Sequence, residues 1–232
     1  MGKFRFSRKA FAFPYMLFLL IFVVVPLVIV LIYAFVGEDG GFTLDNFAEF
    51  FSDKGGGMTV LGNSLLIGVI TTGICLIIGY PCAYLLSKYH TSSKVLVLLF
   101  ILPMWINFLI RTLSTKALFL AIDAKLGMGT VLFGMVYNYL PYMILPLHTT
   151  LVSIDHSYVE AAEDLGADKF TVFFKTLLPL SLPGIISGIT MTFIPAISTF
   201  AISEILSGSK IYLFGDAINM HFSKTVNSFG VG

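Results

Sequence analysis

Four stretches of this 232-residue chain run longer than the 18 residues without a single Asp, Glu, Lys or Arg: Ala10 to Gly37, Met58 to Ser87, Leu126 to Ile154 and Thr176 to Ser203. A helix needs roughly 20 apolar residues to cross the hydrocarbon core of a bilayer, and each stretch is long enough. A fifth, Val95 to Ile110, is shorter and ends on Arg111. The long side chain of Arg111 can snorkel to the interface and extend the usable span. Five spans are expected, and with no strand alternation the fold class is an all-α integral membrane protein built as a helical bundle.

Composition agrees: 57% of residues are apolar and 12% charged, where soluble domains carry about 25% charged residues. The formal net charge is +1, with no block of like charge, which leaves no footprint for nucleic acid or for a polybasic lipid-binding tail. The four histidines and the cysteines Cys75 and Cys82 show no metal-ligand spacing. No G-x-x-x-x-G-K-[ST] sequence occurs, so no phosphate-cradling loop belongs to this chain.

Lys3, Arg5, Arg8 and Lys9 precede the first span, whose length and "GEDGGF" sequel suit a retained anchor better than a cleaved signal peptide. By the positive-inside rule the N-terminus is cytoplasmic, and the segments 38–57, 112–125 and the C-terminal piece lie outside. In the first of these, "FTLDNFAEFF" reads either as a short interfacial helix with Phe42, Leu44, Phe47, Phe50 and Phe51 on one face, or as a plain connection. Pro26, Pro81, Pro103, Pro141, Pro146 and Pro195 fall inside spans and predict kinks.

Between the fourth and fifth windows stands a charged passage, "YVEAAEDLGADKFTVFFKTLLPLSLPG". Ser157 and Glu160 have capping-box spacing, giving a helix from about Tyr158 to Leu165. Gly166 suits the left-handed position that closes it, and Asp168 caps a second helix from Lys169 to about Leu177 before Pro179 and Pro183. Phe170, Phe173, Phe174 and Leu177 predict an apolar face resting on the bundle. Ala161 and Ala162, flanked by Glu160, Glu163 and Asp164, permit close approach of another protein inside an acidic rim.

Glu160-Ala161-Ala162, Gly166 and then Leu178-Pro179 resemble the EAA loop of bacterial ATP-binding-cassette importer permeases, which docks on an ATPase subunit. "NSLLIGVITTGICLIIGYPCAYLLSK", "LPMWINFLIRT" and "FIPAISTFAISEILSG" are similar to the polyamine (spermidine/putrescine) branch, and within it to first permease subunits. The resemblance implies a type I ABC importer bundle over 1–232 with a coupling loop at 153–180, non-catalytic itself. It further implies six spans, the sixth missing from this chain, and a bacterial inner-membrane location. The implied partners are a second permease subunit, two ATPase subunits that bind the ATP and Mg, and an extracytoplasmic polyamine-binding protein. Coupling is expected at Glu160, Ala161, Ala162, Gly166 and Asp168.

For the substrate path, ionisable groups at a membrane edge are functional candidates. Arg111 and Glu204 either pair with each other, or Glu204 offers its carboxylate to a polyamine ammonium while Trp105, Tyr142 and Phe200 add cation–π attraction. Asp123 and Asp216 lie in expected outer loops, as solvated surface or as contacts for a binding protein. The alternatives are a permease of the same architecture for ferric iron, sulfate or thiosulfate, and a secondary transporter not driven by ATP.

Overall fold

The computed structural model describes residues 12–37, 41–52, 57–88, 93–208 and 210–220. The basic cluster Lys3 to Lys9 and the residues beyond 220 lie outside these. The chain divides into two compact units, 1–58 and 59–232.

In the first unit, α1 (Ala12–Ala34) is 23 residues long and apolar on every side, with no buried residue. Such a helix is stable only against lipid or another apolar surface. Its middle widens into a π turn over Leu20–Val24, just ahead of Pro26. Proline offers no amide to the carbonyl four residues earlier and its ring presses on it, which a wider turn relieves. A second helix, α2 (Asp45–Phe51), realises the expected short helix. Thr43 accepts from the Asp45 amide at 3.0 Å and donates to its carboxylate at 2.6 Å, and Phe35 stacks on Phe42 and tilts against Phe47.

The second unit holds α3 (Gly57–Lys88), α4 (Ser93–Trp105), α5 (Phe108–Ala121), α6 (Met128–Ser153), α7 (Ser157–Asp164), α8 (Lys169–Leu180), α9 (Leu182–Ser198) and α10 (Ala201–Ser207). A final turn of helix covers residues 214–220. Helix α6 is the hub: α9 packs along it most extensively, and α4, α5 and α10 also touch it. One buried cluster joins Cys75, Tyr80 and Ala83 of α3 to Met143, Ile144 and Leu147 of α6 and Ile185 of α9. A second joins Ile67, Val131, Met135, Ala196, Ile202 and Leu206.

Small residues let these helices close. A side chain on Gly184 would meet the Thr150 hydroxyl at 2.6 Å and the Pro146 carbonyl at 3.0 Å, and one on Gly188 would meet the Met143 sulfur at 2.7 Å. Lipid tails are as apolar as leucine, so helix association in a membrane depends on such close packing rather than on burial from water.

Among the described residues three long helices have the length and composition of spans, rising to five when each of two bent pairs is taken as one span. The bends correct the sequence reading. The window Val95 to Ile110 is not one rod: α4 stops at Trp105, two residues past Pro103, and α5 leaves at 97°. Asn107 starts α5 by accepting the Leu109 amide at 2.8 Å. Most of the expected outer connection 112–125 is therefore helical, and Arg111 sits in the first turn of α5 rather than at the end of a span. The window Thr176 to Ser203 is likewise broken. α8 runs past Leu177 to Leu180, α9 departs at 64° around Ser181, and Thr199 in extended conformation separates α9 from α10.

Candidate functional site

The loop 153–180 is built from its caps outward. The expected capping box at Ser157 is not formed: Ser157 is already helical, and the Asp155 carboxylate accepts its amide at 3.0 Å. Asp155 reaches the free amide end from two residues before the helix, which leaves the Ser157 hydroxyl no capping role. Gly166 has φ +84°, as expected of a helix terminator. The Ala167 amide donates to Ala162 and the Gly166 amide to Glu163, at 3.1 and 2.9 Å, so the last carbonyls of α7 are satisfied by a Schellman closure. Asp168 then caps α8, its carboxylate accepting from the Thr171 amide at 3.2 Å.

Both capping carboxylates are held below the usual range. For Asp155 the cause is the Ser157 amide and then the Ser157 side chain; for Asp168 it is the Thr171 side chain and then the Thr171 amide. A depressed folded-state pKa contributes order that is present above the ordinary carboxylate value of about 3.9 and lost as pH falls through the lower folded value. Amide exchange at Ser157 and Thr171 is therefore expected to accelerate below about pH 4, while amides in the middle of α6 stay protected; simultaneous loss at both places would contradict it.

The loop's outer surface exposes Glu160, Ala161, Glu163 and Asp164, and beside them Leu165 at 90% and Phe170 at 76% exposure. The expected apolar face of α8 is split. Phe173 and Leu177 turn inward, Phe173 standing edge-on to Tyr80 and Tyr84, while Phe170 and Phe174 point out. A π turn over Phe173–Leu177 causes this by inserting one residue into the repeat, again just ahead of a proline, Pro179. The bend above is pinned to α3: the Tyr80 and Ser181 hydroxyls meet at 2.8 Å, both buried. A cavity of about 520 Å³ lies where the ends of α3 and α6 meet the loop, with Lys88, His156, Glu160, Glu163 and Lys169 in its wall. Of the coupling candidates Glu160, Ala161, Gly166 and Asp168 are exposed and Ala162 is half-buried, with Leu165 and Phe170 beside them as apolar studs that sequence reasoning missed.

A second cavity, of about 270 Å³, opens where α5, α6 and the α9–α10 break meet. It brings together three of the five substrate-path candidates, Arg111, Tyr142 and Phe200, and adds Asn138, Tyr139 and Thr199. Tyr139 donates to the Pro195 carbonyl at 3.2 Å and packs edge-on to Tyr142. Arg111 is only 7% exposed, with its guanidinium 5.8 Å from the centre of the Tyr137 ring. Among the described residues its Nε and Nη1 have no hydrogen-bond partner, and neither has the Asn138 Oδ1. Trp105 and Glu204 do not join them. Trp105 stands 83% exposed at the end of α4, and Glu204 is exposed on the first turn of α10, with no ion pair to Arg111 among the described residues.

Asp216 corrects the expectation of an outer-loop surface residue: it is 4% exposed. Its Oδ2 accepts from the Ser203 hydroxyl and the Leu213 amide, each at 2.7 Å, tying 210–220 to α10. Burial pushes its carboxyl up, the two hydrogen bonds oppose that, and the Glu204 charge adds to it.

Comparison with known proteins joins these features. The chain is 36% identical over 246 aligned residues to the spermidine/putrescine transport system permease protein PotB of Haemophilus influenzae, covering 95% of this chain and 84% of that protein. It is 34% identical to PotB of Escherichia coli over 88% of this chain and 82% of that one. A PotB homolog of Mycoplasma genitalium is 28% identical over 85% of the chain. Residues 75–224, which hold both cavities and the loop between α6 and α9, match the family described as the binding-protein-dependent transport system inner membrane component. With its apolar helices bundled on α6 and an exposed capped loop between spans, the chain belongs to that family of multi-pass inner-membrane transport permeases.

Proposed function

We propose that this chain is a non-catalytic permease subunit of an ATP-driven importer that carries polyamines of the spermidine and putrescine class across a bacterial cytoplasmic membrane. The observation that carries the reading is the match to spermidine/putrescine permeases over nearly the whole chain, including the loop. A second permease subunit completes the pathway, two ATPase subunits bind ATP and Mg, and an extracytoplasmic binding protein delivers the cargo. The N-terminus is cytoplasmic, which puts α7 and α8 on the ATPase side. Glu160, Ala161, Ala162, Gly166 and Asp168 form the grip, with Leu165 and Phe170 as apolar contacts. When the ATPases close, α8 pulls on the Ser181 bend and so on α9, whose far end borders the second cavity.

On the pathway, Tyr142 and Phe200 offer aromatic faces worth about 1 kcal/mol each to an ammonium, and exposed Glu204 offers a carboxylate at the outer approach. Arg111 in the cavity wall is the one observation that favours an anion such as sulfate or thiosulfate as cargo. The reconstituted complex decides between them. Vesicles loaded with ATP should take up labelled spermidine when supplied with its loaded binding protein, and sulfate-loaded binding protein should leave ATP hydrolysis at its basal rate. Uptake without ATP would overturn the importer, and stimulation by sulfate alone would overturn the polyamine. In the same vesicles Glu204→Gln is expected to lower spermidine uptake by about three- to tenfold, on the order of 1 kcal/mol of lost attraction; wild-type rate and affinity would remove Glu204 from the path.

A further inference from the structure

We propose that the cavity around Arg111 is a carboxylate-binding site, filled in the working importer by an acidic group from outside the described part of this chain. Arg111 is more than nine-tenths buried, and two of its guanidinium nitrogens lack partners. Asn138, 2% exposed on the same wall, leaves its carboxamide oxygen unpartnered too. Among the described residues no Asp or Glu lines the cavity. The Tyr137 ring faces the guanidinium, but an aromatic face does not replace hydrogen-bond acceptors.

A buried guanidinium in a membrane protein is expensive unless paired, and its planar fork matches a carboxylate through two parallel hydrogen bonds. The cavity, about 270 Å³, holds a carboxyl group together with several waters at about 30 Å³ each. One of those waters donates to the Asn138 carboxamide oxygen. The chemistry allows two sources: an acidic side chain of the second permease subunit, or a small anion from solution. Either one neutralises Arg111, so that the aromatic walls Tyr142 and Phe200 can meet a cation without repulsion. The inference rests on the importer assembly proposed above and not on its cargo.

The test uses the reconstituted complex and two readouts: retention of the second permease subunit by the tagged chain, and uptake of labelled spermidine in acetate against a bulky morpholinoethanesulfonate at constant ionic strength. Arg111→Lys, which keeps the charge and loses the fork, should lose less than Arg111→Glu, and Arg111→Glu should lose at least about tenfold in one readout. If the source is a side chain, exchanging one acidic residue of the second subunit for lysine restores Arg111→Glu, and acetate has no effect on wild type. If the source is a solution anion, wild-type uptake rises saturably with acetate, and Asn138→Asp, which places a carboxylate on the cavity wall, abolishes that rise. Wild-type behaviour of Arg111→Glu, or a loss that neither charge exchange nor acetate touches, overturns the site. Wild-type complexes that assemble and answer to Arg111 replacement but take up no spermidine would instead remove the polyamine reading and leave this one standing.

Discussion

Gly166→Val is expected to leave the membrane bundle folded and to abolish most ATP-coupled uptake. At φ +84° the residue closing α7 occupies the left-handed region, where an L-residue costs about 1–2 kcal/mol and a β-branched one is a genuine outlier. Nothing lies within 4 Å of the position a side chain would take, so the penalty is conformational and local. The relief is to unwind the turn, which breaks the hydrogen bonds from Gly166 and Ala167 back to Glu163 and Ala162 and displaces Leu165. A shift of 1.4 kcal/mol lowers the ratio of docking to unwound loop about tenfold. Binding-protein-stimulated ATP hydrolysis should fall by up to that factor, with Gly166→Ala intermediate and the thermal stability of the purified chain unchanged. Full stimulation by the valine variant would show that this loop does not transmit the stroke.

Gly184→Leu should act in the opposite way, on the bundle before the coupling. Its new side chain meets the stiff, β-branched Thr150 and the Pro146 carbonyl, neither of which can swing aside, so α9 must lift from α6. Overpacking alone costs about 1–3 kcal/mol. Here it also strips contact from Ile185, Met143 and Leu147, which share the buried cluster. We expect a lower unfolding midpoint in detergent and poor yield of assembled complex. The comparison variant is Gly73→Ala on α3, which meets nothing within 4 Å; it should be neutral or gain up to about 1 kcal/mol from helix propensity. Equal stability of the two variants would mean that the α6–α9 contact does not hold the bundle.

Hydropathy located the greasy segments well because it reports how much apolar surface a segment carries. It carries no information about direction, which is why the turn at Ile106 reads as no more than a kink at Pro103, while Pro179 and Pro183 already end the second loop helix ahead of the next span. Local marks of both bends were present: a helix-starting Asn107 just beyond Pro103, and Pro179 and Pro183 on either side of Ser181. Prolines alone do not decide the matter, since Pro81, Pro141 and Pro146 sit inside uninterrupted helices. Gly166 and Asp168 were legible because capping chemistry is local. The Ser157 box was not, because Asp155 competed for the same amide from two residues away. In the second cavity, charge and aromaticity singled out Arg111, Tyr142 and Phe200, but their meeting depends on a sharp turn between α4 and α5. Asn138 could have been noticed as the lone carboxamide in the middle of a charge-free window. Leu165 reads only as the end of the first loop helix, because its exposure is decided by the fold and not by its neighbours.

The π turn in α8 has a consequence for how such a surface changes over time. It contains one residue more than an α-helical turn would use between the Asp168 cap and the Ser181 bend. Each residue of an α-helix turns the chain by about 100°. A π turn absorbs its extra residue within the turn, so removing one residue between Phe173 and Leu177 would let α8 rewind with Leu165 and Glu160 facing nearly as before, whereas removing one from a regular stretch of the helix would swing them about 100° around its axis. The direction in which the loop faces is thus stored as a residue count, which substitutions leave intact and a single three-base deletion outside the π turn can rewrite.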